Sequence, residues 1–543
     1  VKRPWWIAAL LGACSLYSPG AGDSAGSLPN PQEAQNLRLD SLADAYLAGY
    51  HAAYPVRATR HGVHDFDARF GLLSRGAFEL RAAHLRGYLD RLRTIDPDAL
   101  RPERRRDARL LRHRLEAEIL ELEGLRRWQR DPTWYTELLR DGLIALALVP
   151  SGPADRRLTR IMDRLEQVRD VVIAARENLE GFPRIRAEVA LDELSALRDF
   201  LRAGLPALFA RELDASARPR FERAQKGALQ GLDELADRFS TALSEAAPGA
   251  FAWGEELLRT RLLHEEMIET PIDDLLRTLE SEIAKRRQEP PGRESRNAAG
   301  EGRGAADVAR LLAELRELSA GFVPLPAGDP GLTPMVQTWS PAAAFACELF
   351  APGPFEGERL RSALLVSLPE PREAAGEVPL RLALARETYP GRYVLSLYLA
   401  GSPSKLRAAF PSRALADGWA HEAASLVAGE SQSAGRAHEL LELCRGVAAL
   451  RMHARGMTFS EAAAFLTREA GLAPAAAERE ARRAAVDPGV FLGAWGAGQI
   501  RALRQEAASR TGLAGAEFHR ALLSHGAPPL PLLREILAGA SSP

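Results

Sequence analysis

The sequence predicts a mainly α-helical fold with a small β-hairpin or short sheet in its C-terminal part, and three observations carry that prediction. Apolar residues recur at helical spacing: Phe78, Leu85, Leu89 and Leu92, then Leu111, Leu115 and Leu122, then Ile161, Leu165, Val168 and Val172. Arg, Glu and Asp flank each stripe, as a helix with one buried and one wet face requires. Alternation at period two is confined to residues 345–350 and 364–368, which a Pro- and Gly-containing stretch separates, so the two can pair as a hairpin. Helix-start chemistry completes the set: Thr458-Phe459-Ser460-Glu461 reads as a capping box opening the helix that carries Phe465 and Leu466.

In chain order, residues 1–14 predict a secretory leader of the lipoprotein type. Lys2 and Arg3 precede an apolar run over residues 5–13, which is too short to span a bilayer. Leu11-Gly12-Ala13-Cys14 has the form of a lipobox, so Cys14 is the expected lipidation site. Residues 15–36, rich in Ser, Gly, Pro and Ala, predict a flexible tether. Ser15 is not the aspartate that holds lipoproteins at the inner membrane, so the expected address is the bacterial cell envelope, with the outer membrane favoured. An N-terminal helical half is expected over 37–287 and a C-terminal half over 307–543. Between them, residues 288–306 crowd Pro, Gly, Arg, Glu and Ser without periodicity and predict a loop or linker.

Composition narrows the function classes. At 543 residues and 46% hydrophobic the chain can bury a large core. Its 71 basic and 72 acidic residues give a formal charge of -1, so no overall field favours nucleic acid or an anionic bilayer. Only Cys347 and Cys444 remain beside Cys14, which is no disulfide framework, although a single bridge is open. Past the leader, no apolar run reaches the ~18 residues a membrane span needs, so the membrane is expected to hold the protein only through the lipid. No serine occupies a G-x-S-x-G elbow, since Gly429-Glu430-Ser431-Gln432-Ser433 fails at its last position. The scattered tryptophans are expected to fill core rather than stack on bases, and no nucleic-acid partner is expected.

Two blocks carry the chemistry. Residues 386–393 read Arg-Glu-Thr-Tyr-Pro-Gly-Arg-Tyr, and Asp417-Gly418-Trp419-Ala420-His421-Glu422 follows about two dozen residues later. Together they resemble the paired signatures HExxPGHH and EGWAxYxE of the bacterial domain of unknown function 885 family, whose members look like zinc-dependent peptidases. Weaker blocks in the family's order support the resemblance, among them residues 54–59, 62–67, 130–135, 176–183, 452–459 and 518–531. The resemblance implies a large multi-helix peptidase-like fold and a zinc cofactor. It also places the base position at Glu387 and the ligand positions at Arg386, at Arg392 or Tyr393, and at Asp417.

Those positions are the ones a metal needs, and here they have changed. A hydrolytic zinc site takes about three lone-pair ligands, an open position for water and a carboxylate to receive its proton. Arginine is permanently cationic and offers donors without an acceptor. At ~4 Å and an effective dielectric near 20, each guanidinium opposes a dication by on the order of 8 kcal/mol. The expectation is therefore no metal and no bound cofactor, an idle base at Glu387, and a guanidinium of Arg386 or Arg392 paired with Glu387 and Asp417. Trp419, His421, His453 and His519 are candidate pocket residues, the three histidines falling on family positions. The acidic residue expected four before His453 is Ala449, and the glutamate closing the second block is Ala424.

The leading expectation is a catalytically degenerate envelope lipoprotein whose cleft binds a peptide or a partner, with an acidic group favoured by the two arginines. One alternative is an active metal-dependent hydrolase with a shifted site of Glu387, Asp417, His421 and His453. The other is a structural scaffold lipoprotein.

Overall fold

Three hydrophobic cores, stacked along the chain and bridged by shared helices, organise the molecule. The computed structural model describes residues 30–245, 251–288, 304–337, 347–357, 360–367, 380–428 and 432–539. The leader, Cys14 and most of the expected tether and linker lie outside these residues. The tether expectation also meets a difference: helix α1 (Pro31–Ala53) starts inside it. Asn30 caps that helix by accepting from the Glu33 amide at 2.8 Å, and Pro31 supplies a pre-set φ at the first turn. A composition rich in small residues did not outweigh an Asn-Pro helix start.

The first core joins α1 to α2 (Arg75–Arg93) and α3 (Pro102–Ile119) through Leu39, Tyr46, Phe78, Leu85, Leu111 and Leu115. Arg81 crosses this core to Glu118, which also accepts from the Tyr46 hydroxyl at 2.9 Å. The second core packs α4 (Thr133–Leu148), α5 (Ala154–Asn178), α6 (Arg184–Asp199) and α7 (Arg218–Glu245). Its stripe of Ile161, Leu165, Val168 and Val172 is the one read from the sequence, and each residue is buried.

The third and largest core is C-terminal, and it reaches back across the expected boundary. Helices α8 (Glu255–Glu266) and α9 (Ile272–Gln288) bury Leu258, Leu262, Leu275, Leu279 and Ile283 in it. Residues 289–303 of the expected linker lie outside the described residues, and the composition break there does not coincide with a division between the cores, because α9 finds its apolar partner much later in the chain.

Next come α10 (Ala305–Phe322) and a sheet of β1 (Pro334–Gln337), β2 (Cys347–Phe350) and β3 (Ala363–Ser367) in the order β1-β3-β2. β2 and β3 pair antiparallel with Cys347 opposite Val366, as the period-two stretches predict. β1 adds in parallel and was not foreseen. Cys347 and Cys444 are both buried and both free.

The remaining labelled helices are α11 (Leu380–Glu387), α12 (Arg392–Ala400), α13 (Arg413–Val427), α14 (Gln432–Ala454), α15 (Phe459–Ala470), α16 (Pro474–Val486), α17 (Leu492–Thr511) and α18 (Gly515–Leu523). α9 lies along α14, and α15 opens on the predicted capping box, with the Thr458 amide donating to Glu461 at 2.8 Å. α13 and α17 pack closely: a Cβ on Gly496 would stand 1.9 Å from the Ala414 carbonyl oxygen. No helix among the described residues is long and apolar enough to cross a membrane.

Candidate functional site

The two motif blocks meet where α11, α12 and α13 converge. α11 ends at Glu387, and the Thr388 hydroxyl donates to the Leu384 carbonyl at 2.6 Å as the chain leaves the helix. Gly391 then passes directly over the end of α11. A Cβ there would lie 2.1 Å from the Arg386 carbonyl oxygen, so only glycine fits. Trp419 of α13 fixes this turn by donating its indole N–H to the carbonyls of Pro390 at 2.9 Å and Gly391 at 3.2 Å. The Arg392 side chain, at the start of α12, is thereby turned back toward Glu387.

Its guanidinium bridges the two motif acids. One amino group of Arg392 bonds Glu387 Oε1, and the other donates to Asp417 Oδ1 at 2.6 Å. The second oxygen of Asp417 accepts from Arg413 Nε at 2.9 Å, and Arg413 holds Asp487 in a two-point contact at 2.9 and 2.6 Å. Glu387, Arg392, Asp417, Arg413 and Asp487 therefore form a chain of five charges alternating in sign. Burial acts to raise the Asp417 pKa, but the two arginines outweigh it and hold the carboxyl well below the ordinary range. The network is not sealed from water, since 31% of the Arg392 side chain and 20% of Asp417 are exposed.

Arg386 goes elsewhere. It bonds His438 Nε2, approaches His421 Nε2 at 3.3 Å and lies 3.5 Å from Glu442 Oε1. Each imidazole offers a lone pair to the guanidinium and stays neutral. Burial, aided by Arg386, lowers His421 well below its usual value and takes His438 to about 4. Glu442 resists its own burial through Arg445, at 2.7 Å, and Arg386, which keep it ionised. Of the two motif arginines, only Arg392 makes the expected pair with Glu387 and Asp417.

The other expected pocket residues are dispersed. The Tyr393 hydroxyl donates to Asp329 at 2.8 Å rather than to either motif acid. His453 donates from Nε2 to the Ala484 carbonyl at 3.1 Å and accepts from the Trp253 amide, and burial takes it to about 4. His519 donates to the Phe322 carbonyl at 2.8 Å with its ring against Trp419. Glu387, Asp417, His421 and His453 thus form no shared metal or acid–base cluster, because His421 turns to Arg386 and His453 to the backbone of α16.

The donor set at the motif does not fit a divalent ion. The positions nearest Glu387 and Asp417 carry guanidinium groups, which bring positive charge and no lone pair. Among the described residues, two open hollows of about 340 and 680 Å³ are lined by residues of α8, α9 and α14 and of the turns that follow α8 and α14, and neither includes a motif residue.

Sequence reasoning missed Arg413, Asp487, His438 and Glu442. The four-residue spacings of Arg413 with Asp417 and of His438 with Glu442 were available as same-face helix signals. Nothing local pointed to Asp329.

A model of bacterial proteins of unknown function, DUF885, matches residues 55–537. No curated protein matches the chain. Two solved structures share its fold. A candidate lipoprotein of unknown function from Shewanella oneidensis is 19% identical, with a TM-score of 0.67 over 92% of this chain and 99% of its own. A candidate lipoprotein from Colwellia psychrerythraea is 16% identical, with a TM-score of 0.72 over 93% and 99%. Over residues 55–537, nearly its whole length, this chain belongs to the DUF885 family.

Proposed function

We propose that the protein is an envelope-anchored lipoprotein that resembles a zinc-dependent peptidase but has neither zinc at the motif nor catalysis, using the inherited cleft to bind a peptide or partner. The observation that carries this reading is the Arg392 guanidinium lying between Glu387 and Asp417. A base of this class acts on water activated by a metal ion, and the cation beside Glu387 is a guanidinium, which cannot coordinate water as a Lewis acid. The acidic preference expected of the ligand rests on Arg386 and Arg392 having free donors. Both are engaged within the protein, so the proposal carries no charge preference for the bound peptide. The lipobox-like residues before Cys14 and the description of both fold relatives as candidate lipoproteins support the anchor, and Ser15 favours the outer membrane.

Peptide-library cleavage by the purified chain, with and without a chelator, tests the catalytic half. The expected result is no chelator-sensitive cleavage, whereas turnover lost on Glu387→Gln substitution overturns the reading. The triple change Arg386→His, Arg392→His and Asp417→Glu is expected to gain about one further equivalent of zinc over the parent chain, by restoring three lone-pair ligands. For the anchor, Cys14→Ala is expected to abolish incorporation of labelled fatty acid and release the protein from the membrane fraction. Retention of the label overturns the anchor.

A further inference from the structure

A second set of chemistry-bearing side chains lies on other helices, at the seam between the first and third cores. His113 and Glu116 stand three residues apart on one face of α3, and His264 faces them from the last turn of α8. A ring nitrogen from each histidine and a carboxylate oxygen of Glu116 all lie within 4.8 Å of one another. Among the described residues, no other group of three His, Cys, Asp or Glu side chains comes this close together.

Ordinary packing leaves part of this arrangement unexplained. His113 is only 9% exposed, yet its Nδ1 has no hydrogen-bond partner. His264 Nδ1 stands 3.1 Å from Glu116 Oε2, so these two already make an ion-pair contact. That pair alone gives no reason for the buried, unpartnered Nδ1 of His113 beside it. The two rings sit 5.8 Å apart and tilted by 48°, so they are not stacked.

We infer that His113, Glu116 and His264 form a binding site for a divalent transition-metal ion, zinc being the ion to test. Two imidazoles and one carboxylate are the donor types such ions take, with a water completing the set on the exposed side. Metal–ligand bonds of about 2.1 Å place tetrahedral donors about 3.4 Å apart, so the side chains need to close by roughly an ångström. Rotamer adjustment of Glu116 and His264, both half-buried, provides that movement. Arg112 stands 3.4 Å from His113 Nε2 and opposes a cation, but it is exposed and can swing into water.

The ion would tie α3 to α8. Two residues beyond His264, Glu266 caps the start of α13 by accepting from the Ser412 hydroxyl at 2.5 Å and from the Arg413 and Ala414 amides at 2.8 and 3.2 Å. A metal here would therefore stiffen the helix that carries Asp417, without touching the motif itself.

Zinc titration into tag-free, chelator-stripped full-length protein, followed by calorimetry and thermal melts, tests the site. The expected result is one equivalent bound, with a melting temperature raised by a few degrees. His264→Gln and Glu116→Gln are expected to weaken zinc at least tenfold and abolish the thermal shift. Both side chains are partly exposed, and circular dichroism confirms that the variants fold. Absence of tight zinc binding by the native chain, or binding unaltered in both variants, overturns the inference. Zinc lost on His264→Gln substitution leaves the reading of Arg392 intact, so the two outcomes are separable.

Discussion

Arg392 makes two ion pairs that fix both motif acids, and its removal has a calculable direction. In Arg392→Ala, Glu387 and Asp417 face each other without the shared cation, and Asp417 keeps only Arg413. Breaking a fully buried pair costs more, but partial exposure here reduces the loss to about 2 kcal/mol, read by urea denaturation at pH 7. The pH dependence follows from the depressed Asp417 pKa. That carboxylate's contribution is fully present above its unfolded value and is lost as pH falls toward its folded value. The gap between the native chain and the variant should therefore narrow below about pH 4. A gap that is flat with pH would mean Arg392 acts by packing instead of by charge.

At the scale of elements, the site depends on how closely α13 approaches α17. Gly418 and Gly496 permit the contact, a Cβ on Gly418 standing 2.6 Å from the Gly496 carbonyl carbon. Gly496→Ala gains up to about 1 kcal/mol of helix propensity. Against that, its methyl would overlap the Ala414 backbone oxygen, and no side-chain rotation can relieve a clash with main chain. The overlap costs about 3 kcal/mol and wins, so the melting temperature is expected to fall. The displaced α13 should also detach Trp419 from the Pro390–Gly391 turn, read as a change in tryptophan fluorescence. An unchanged melt would show that the two helices are less tightly seated than the structure has them.

Across the whole molecule, the cores do not follow the sequence halves. Leu275, Leu279 and Ile283 of α9 complete the apolar face of α14, where Leu443, Val447 and Leu450 are buried. A chain shortened to begin at Gly304 would uncover that face and is expected to bind a hydrophobic dye and melt without cooperativity. One beginning at Phe251 keeps α8 and α9 and is expected to melt more sharply. Equal behaviour of the two would place the true division at 288–306, as composition suggests. The first core remains attached to the C-terminal core through the buried pair of Arg407 and Asp107, at 2.7 Å.

Periodicity, capping and the motif blocks were enough to define a helical fold, the antiparallel β2–β3 pair and the family. These are local properties: each depends on residue type and on spacing within a few turns. Tertiary structure alone decided which arginine meets which acid. Arg386 and Arg392 are equivalent in the linear motif, but one lies on the last turn of α11 and the other after a reversal at Gly391. Their side chains consequently enter different clusters. The parallel strand β1, the dispersal of His421, His453 and His519, and the convergence of His113, Glu116 and His264 have the same origin. Each depends on packing between segments far apart in the chain, which no short-range pattern encodes.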